Sequence, residues 1–503
     1  MADLRTTVLL RLSGELSTKA RATRRHFVGR LVRNLKDLLS SEGILGEVER
    51  RHDRLLVHLE DPARAPELAR IFGLQSLAVA ESREVDSLAT IVRHGEALFR
   101  DAVRGRRFAV RARTVGSSGA GGARGREVER ELGTALLPGA AGVDLGNPEL
   151  TARVELFEGR AYYFHENLPG EGGLPLGAEG RGVALVSGGF DSPVAAWQML
   201  RRGVDLDYVF CNLGGRSHQL GTLRVMKVLA DRWSYGRRPR LHAIDFATTT
   251  RELRARTEPR YWQVLLKRLM LRAAEQVARE RGAQAIITGD AVGQVSSQTL
   301  VNLRAISDAT TLPILRPLVG ANKDEIIATA RHIGTEPLSA IVDEYCALVP
   351  GKPATAARLE VVQQLEAEMD LAILERAVHE RQVQDLRALD PDDTGLPELE
   401  TREVPPDARV IDLRTRAQYE QWHYPDALQL GWDQALLAYP SFSKDQPYVV
   451  YCEYGLKSAH LAELMRSAGL EAFHFRGGAP RLRKELASQL SSRVARPGAS
   501  GGS

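Results

Sequence analysis

Hydrophobic positions along the chain change period several times, and each change marks a unit. Residues 4–12 alternate apolar and polar as a strand does, and residues 19–42 set Phe27, Val28, Leu31, Leu35, Leu38 and Leu39 at helical spacing. Strand signals return at LLVHLE (55–60) and LQSLAVAESRE (74–84), with a short helix between Pro66 and Phe72. This order predicts a small α+β unit of ferredoxin-like type over residues 1–62. A helix over 86–104, the strand FAVRART (108–114), a Gly/Ser stretch at 116–125, a helix from Arg126 and strands at 151–159 and 160–166 predict a second α+β unit, residues 63–167. GEGGLPLG (170–177), with its Gly and Pro content, places a linker at 168–180.

From Gly182 the texture changes. The apolar runs GVALVS, VDLDYVFCNL, PRLHAIDF, AQAIITGD and TLPILRPL alternate with helical patterns near 193–202, 218–233, 260–282 and 322–333. Such alternation predicts a doubly wound parallel sheet over 181–350, covered by helices on both faces. Residues 351–403 read as a helical, acidic linker. Beyond Pro405 and Pro406, RVIDLR, DALQL and PYVVYCEYG read as strands, with a helix from Lys457 to Ala468. They predict a small α/β unit over 404–490, ahead of a disordered tail at 491–503.

Composition narrows the classes. A chain of 503 residues, 43% hydrophobic and 26% charged, is too long for one core, and it has no run of 18 apolar residues to cross a bilayer. A membrane protein is excluded, and the N-terminal stretch lacks a signal-peptide core, so the expected compartment is the cytoplasm. Three cysteines cannot make a disulfide framework, and none sits at zinc-ligand spacing. The net charge of +4 conceals a basic front end and an acidic stretch near 340–403, a distribution suited to a polyanion-binding module.

The segment VALVSGGFDSPVAAWQMLRR (183–202) is a strand, a short Gly/Ser loop and a helix. Gly188 and Gly189 let backbone amides approach an anion, Ser187 and Ser192 flank them, and the helix N-terminus adds partial positive charge. Asp191 or Ser192 suits the cap, and Pro193 suits the first turn. The loop is neither a Walker A nor a GxGxxG motif. SGGxDS is the pattern of the PP-loop ATP pyrophosphatases, which adenylate a carbonyl oxygen.

Further segments, FCNLGGRSHQLG (210–221), TGDAVGQVSSQTLVNLRAI (288–306), ILRPLVGANKDEII (314–327), ARHIGTEPLS (330–339) and DEYC (343–346), resemble those of the tRNA 4-thiouridine synthase (ThiI) family. Residues 63–167 resemble its THUMP domain, and residues 404–490 resemble the rhodanese domain that some members carry. The resemblance implies ATP and Mg²⁺ as cofactors, with Leu185 and Val186 bordering adenosine, Lys267, Gly289 and Gln298 contacting ATP, and Asp191 and Lys323 supporting adenylation. It implies tRNA as the acceptor, a cysteine desulfurase as persulfide donor and a sulfur-carrier protein of thiamine thiazole synthesis as a second recipient. Homodimerisation stays open.

Cys452 ends an apolar strand in the loop CEYGLKS, just before a helix begins. A thiol ringed by backbone N–H groups there suits a persulfide. The loop resembles the active-site loop of rhodanese domains. By the same resemblance Cys346 resolves the persulfide through a transient disulfide, whereas Cys211, ending a strand, reads as core packing. For RNA, Arg104, Arg107, Arg111 and Arg113, with Arg106 and Phe108, form a basic cluster, and strand alternation puts Arg111 and Arg113 on one face. Two other classes remain: a PP-loop enzyme with a different acceptor, and a non-enzymatic sulfur-relay platform.

Overall fold

Burial of both faces of one strand sets the architecture of the first unit. In β1 (Thr6–Leu12), Val8 and Leu10 pack with Leu31, Leu35 and Leu38 of a helix, while Leu9 joins Leu56, Ala78, Phe157 and Tyr162 on the opposite face. The computed structural model describes residues 6–51, 54–115, 124–213, 215–340, 342, 352–390, 398–453 and 455–494. They form two compact units, the first made of residues 1–180 with 200–205 and 233–237.

Its strands continue with β2 (Gly46–Arg51), β3 (Arg54–Leu59), β4 (Leu74–Glu84), β5 (Arg107–Thr114), β6 (Gly142–Val143), β7 (Leu150–Phe157), β8 (Arg160–Phe164) and β9 (Leu168–Pro169). Its helices are the short α1 (Gly14–Ser17), then α2 (Arg21–Ser41), α3 (Leu88–Val103) and α4 (Gly125–Leu136). The order β2-β3-β1-β4, all antiparallel, is the ferredoxin-like arrangement, and it continues as β8-β7-β5-β6. The eleven-residue β4 joins the halves: Leu74–Ala80 pair with β1, and Glu81–Glu84 pair with β8. Two features differ from the expectation. GEVERR forms edge strand β2 although it lacks alternating apolar residues, and the predicted helix at 66–72 is a 3₁₀ helix over Pro62–Arg70 that runs through Pro66. Of the Gly/Ser stretch, 116–123 lie outside the described residues.

The second unit holds two largely parallel sheets. The first contains β10 (Arg181–Leu185), β11 (Asp205–Asn212), β12 (Arg240–Asp245), β13 (Ile286–Ile287), β14 (Ile314–Leu315) and β15 (Gln382–Asp385), in the order β14-β13-β10-β11-β12-β15. Strand β13 runs parallel to β10 and β14, and β11 runs parallel to β12, whereas β15 joins β12 antiparallel. The helices are α5 (Asp191–Arg201), α6 (Gly215–Trp233), α7 (Ala247–Arg256), α8 (Trp262–Arg281), α9 (Leu300–Ser307), α10 (Lys323–Ile333), α11 (Glu336–Ser339), α12 (Leu359–Ala367) and α13 (Ala372–His379).

Residues 359–385 were expected within an acidic linker, and the structure differs there. Val362, Leu374, Ala377 and Val378 share the core of α8, and β15 extends the sheet. Glu366 is buried against Arg268 at 2.7 Å and Arg272 at 2.8 Å. Charge along this segment therefore answers the arginines of α8, a pairing that the reading as a helical, acidic linker did not anticipate. The last sheet, all parallel, has β16 (Glu400–Thr401), β17 (Arg409–Asp412), β18 (Leu428–Gln429), β19 (Tyr448–Tyr451) and β20 (Ala472–Phe475) in the order β16-β20-β19-β17-β18. Helices α14 (Arg416–Gln421), α15 (Trp432–Ala438), α16 (Leu456–Ser467) and α17 (Gly478–Val494) accompany it.

Candidate active site

Strand order reverses at β10: β11 and β12 lie on one side of it, β13 and β14 on the other. Open parallel sheets bind ligands in the crevice beyond the carboxyl ends of strands at such a switch point. The Gly-Gly loop follows β10, and TGDAVGQ follows β13, so both motifs reach the same crevice. Two glycines let the loops meet. A Cβ on Gly289 would lie 2.9 Å from the Asp191 carbonyl carbon and the Ser192 nitrogen, and Gly188 has φ +76° with Thr222 Oγ1 2.9 Å from the place of a Cβ. Helix α5 starts at Asp191, and the Ser192 hydroxyl accepts from the Ser187 N–H at 3.1 Å, which closes the loop on itself.

The crevice encloses about 330 Å³, within the range of small-ligand sites. Leu185, Val186, Ser187, Asp191, Ser192, Lys267, Gly289 and Gln298 line it, all nominated from the sequence. Gly188 and Gly189 complete the loop, and Ser339 donates to the Gly189 carbonyl at 3.3 Å. Lys323, first residue of α10, reaches Asp191 at 2.9 Å, while Gln294 donates to the other Asp191 oxygen at 2.8 Å.

A second ion-pair centre escaped the sequence reading. Asp290 accepts from Lys267 at 2.7 Å, Thr288 at 2.8 Å, Arg316 at 3.3 Å and Gln298 at 3.3 Å. Burial alone would raise its pKa, but Lys267, Thr288 and Arg316 outweigh that and hold it at about 2. Asp290 stands inside the TGDAVGQ motif, so its position was available; its role needed the spatial approach of Lys267 and Arg316. His218 also lines the crevice, edge-on to Phe210 at 4.8 Å, and burial with nearby His460 keeps its pKa at about 4. Cys211 packs in the core, where burial pushes its thiol pKa up.

Cys452 follows β19 and precedes α16, on the carboxyl edge of the other parallel sheet. The Gly455 N–H points at its sulfur from 3.2 Å, and the Ser458 hydroxyl lies 3.5 Å away. Gly455 adopts φ +84°, which turns that N–H inward. Behind the loop, Gly478 leaves room for the Cys452 and Glu453 carbonyls, and the Ala479 N–H donates to the Cys452 carbonyl at 2.9 Å. Cys346 lies outside the described residues.

The four nominated arginines stand on the first unit. Arg104, at the end of α3, is exposed and pairs with Asp101; Arg107, Arg111 and Arg113 are exposed on β5. The parallel register sets Arg111 opposite Arg153 and Arg113 opposite Glu155. Around Glu155 gather Arg11 at 3.1 Å and Arg54 at 3.0 Å, and burial together with Arg11 and Arg111 lowers the Arg153 guanidinium pKa. Arg11, Arg54 and Arg153 were missed because strand pairing, and not sequence proximity, brings them there. A wider concavity of about 1400 Å³ in this unit is lined by acidic and basic residues alike, and by none of the four nominated arginines.

Comparison with known proteins gives a consistent result. The family model of the thiamine biosynthesis protein (ThiI) matches residues 177–371, that of the ThiI ferredoxin-like domain 7–78, and that of the rhodanese-like domain 398–485. A tRNA sulfurtransferase of Pyrobaculum aerophilum is 36% identical over 475 residues, covering 93% of this chain and 96% of that protein. Another, from Desulfurococcus amylolyticus, is 35% identical and covers 95% of this chain and 99% of its own. Among solved structures, the crystal structure of a 4-thiouridine synthetase–RNA complex with bound ATP is similar with a TM-score of 0.67, at 30% identity, covering 76% of this chain and 99% of that one. Because these matches run from the ferredoxin-like strands through the Gly-Gly loop to the Cys452 loop, the chain belongs to the ThiI family of tRNA sulfurtransferases.

Proposed function

We propose that this protein replaces O4 of uridine 8 in tRNA by sulfur, using ATP to activate the oxygen and a persulfide on Cys452 to supply the sulfur. The observation that carries the reading is the convergence of the Gly-Gly loop with two lysine–carboxylate pairs at the switch point: Lys267–Asp290, which lines the crevice, and Lys323 bound to Asp191, which also lines it. Carbonyl oxygen is a poor leaving group, and adenylation makes it a good one. Backbone amides of Gly188 and Gly189 and the α5 N-terminus suit the phosphates, Leu185 and Val186 the adenosine, and the lysines the charge that develops as pyrophosphate departs. The close approach at Gly289, which admits no side chain, fits a nucleotide held against backbone. Mg²⁺, when bound, would neutralise phosphate oxygens, with Asp191 as the nearest loop carboxylate.

The terminal sulfur of a Cys452 persulfide then attacks C4, and AMP leaves with the former O4. Attack of the Cys346 thiolate on the Cys452 sulfur breaks the S–S bond, frees the thiolated base and leaves a Cys346–Cys452 disulfide for an external dithiol to reduce. A cysteine desulfurase loads Cys452, in the cytoplasm. The same persulfide would serve a sulfur-carrier protein of thiazole synthesis. Arg104, Arg107, Arg111 and Arg113 contribute phosphate contacts to tRNA, weakening uniformly with salt. Near-ultraviolet absorbance of 4-thiouridine in tRNA from cells with and without the gene tests the activity: no difference removes it. Non-reducing mass spectrometry after one turnover tests the disulfide, and its absence in an active preparation overturns that step.

A further inference from the structure

Helix α6 begins beside the crevice with no acidic residue in its first turn, yet its first amides are satisfied from far along the chain. The Glu463 carboxylate, on α16 of the sulfur-carrying domain, accepts from the Arg216 N–H at 3.1 Å, the Ser217 N–H at 3.1 Å and the Ser217 hydroxyl at 2.6 Å. Gly215 makes room: it has φ +77°, and a Cβ there would stand 3.0 Å from Glu463. A carboxylate at this place caps the helix and meets the positive end of its dipole. Leu220 packs with Leu399 and Ala459 beside it. Two turns further along α6, the half-buried Arg224 lies close enough to Cys452 and Glu400 for their charges to act on it, and Cys452 is 4% exposed.

From this contact we infer that Glu463 is a docking residue. It latches the sulfur-carrying domain onto α6, with Cys452 covered on the Arg224 side, and the latch must open before an external persulfide donor reaches the thiol. Loading itself is a sulfur transfer, R–S–S⁻ plus the Cys452 thiolate giving Cys452–S–S⁻ and R–S⁻, and it needs the incoming sulfur in line with Cys452. The closed arrangement shields the thiol from that approach. Opening trades the three hydrogen bonds to Glu463 for bonds to water. The inference rests on the reading of Cys452 as the sulfur carrier.

The test is alkylation of Cys452 in the full-length protein by iodoacetamide, followed peptide by peptide with mass spectrometry. Glu463→Ala is expected to raise the rate about tenfold, since a covered state populated ten to one over the open one gives that ratio for about 1.4 kcal/mol. Ser217→Asp supplies α6 with its own acidic first turn while repelling Glu463, so it should raise the rate as well without loosening the helix. Glu463→Gln, which still accepts from an N–H, should fall between. Equal rates in wild type, Glu463→Ala and Ser217→Asp, with thermal melting unchanged, overturn the latch. A Cys452→Ser variant keeps the two ideas apart. If it still thiolates tRNA, the sulfur-carrier reading fails while a rate response upholds the docking; if it loses thiolation and rates stay equal, the docking alone fails.

Discussion

The two reactive loops of the second unit share one plan and differ in what surrounds it. Each follows a buried parallel strand, turns at a glycine of positive φ, and leads into a helix: Gly188 before α5, Gly455 before α16. At the first, charged side chains from three other segments converge, Lys267 from α8, Asp290 from the loop after β13 and Lys323 from α10. Around the second, the partners within hydrogen-bonding distance of the sulfur are a backbone N–H and a hydroxyl of its own loop. On the proposed reading, one loop handles a polyanion whose charge changes during reaction, and the ions gathered around it suit that task. The other, on the same reading, holds a single sulfur atom with donors of its own loop.

The widest separation should come from removing the working atom of each. Asp191→Asn is expected to lower tRNA-dependent pyrophosphate release by at least about 100-fold, the scale of losing a transition-state contact, while leaving persulfide uptake by Cys452 intact. Cys452→Ser should do the reverse: sulfur uptake vanishes, while ATP still reacts. Radiolabelled sulfur uptake and tRNA-dependent pyrophosphate release, which precedes sulfur attack, read on both variants, check this. If either variant loses both half-reactions, the two loops do not act separately.

A smaller effect comes from spacing. In Gly289→Ala the new Cβ would press on Asp191 and Ser192 backbone at 2.9 Å, so the Gly-Gly loop must shift. Expected is about a tenfold loss in kcat/KM for ATP, since misplacement on the ångström scale is costly for a bound reactant, with Cys452 alkylation unchanged. Steady-state kinetics beside the alkylation rate would sharpen the comparison, and equal ATP kinetics would show the loop tolerates the intrusion.

Legibility followed the same divide. CEYGLKS is contiguous, so residues seven apart or fewer displayed the whole Cys452 loop. The SGGFDS loop was as plain, but its counterions were not: Asp290 looked like one acid in a matching segment until Arg316 and Lys267 were brought to it by β13, β14 and α8. Helices with a regular apolar stripe, such as α2 and α8, were visible in the sequence. Strand β2 and the segment from α12 to β15 were not, because GEVERR owes its place to pairing with β3, and Glu366 owes its burial to Arg268 and Arg272.

Acid should distinguish the loops by stability. Folding holds the Asp290 pKa at about 2 against 3.8 for an unperturbed aspartate, a depression of a group that is nearly buried. A depressed carboxylate stabilises the fold above its unfolded pKa, and that contribution, on the order of 2 kcal/mol, disappears as pH falls from about 4 toward 2. Asp290→Asn should therefore melt lower at pH 7, and its deficit against wild type should narrow in acid. Calorimetry at pH 7 and pH 3 measures it; a deficit that is constant with pH would mean that Asp290 acts through packing alone.

The smallest effect probes whether local amides are enough for sulfur. Gly455 sits at φ +84°, ψ 0°, and a Cβ there meets only contacts of 3.8 Å or more, so Gly455→Ala fits sterically but strains the backbone. That strain costs about 1–2 kcal/mol, and relaxing it rotates the N–H away from the Cys452 sulfur. If backbone donors alone ready this loop, sulfur uptake should drop several-fold while pyrophosphate release stays at the wild-type rate. Uptake that is unchanged would shift the burden to the Ser458 hydroxyl, the other group within reach of the sulfur, and Ser458→Ala would then have to show the loss instead. Either result locates the donor that matters. Loss of pyrophosphate release in Gly455→Ala would contradict the independence of the two loops.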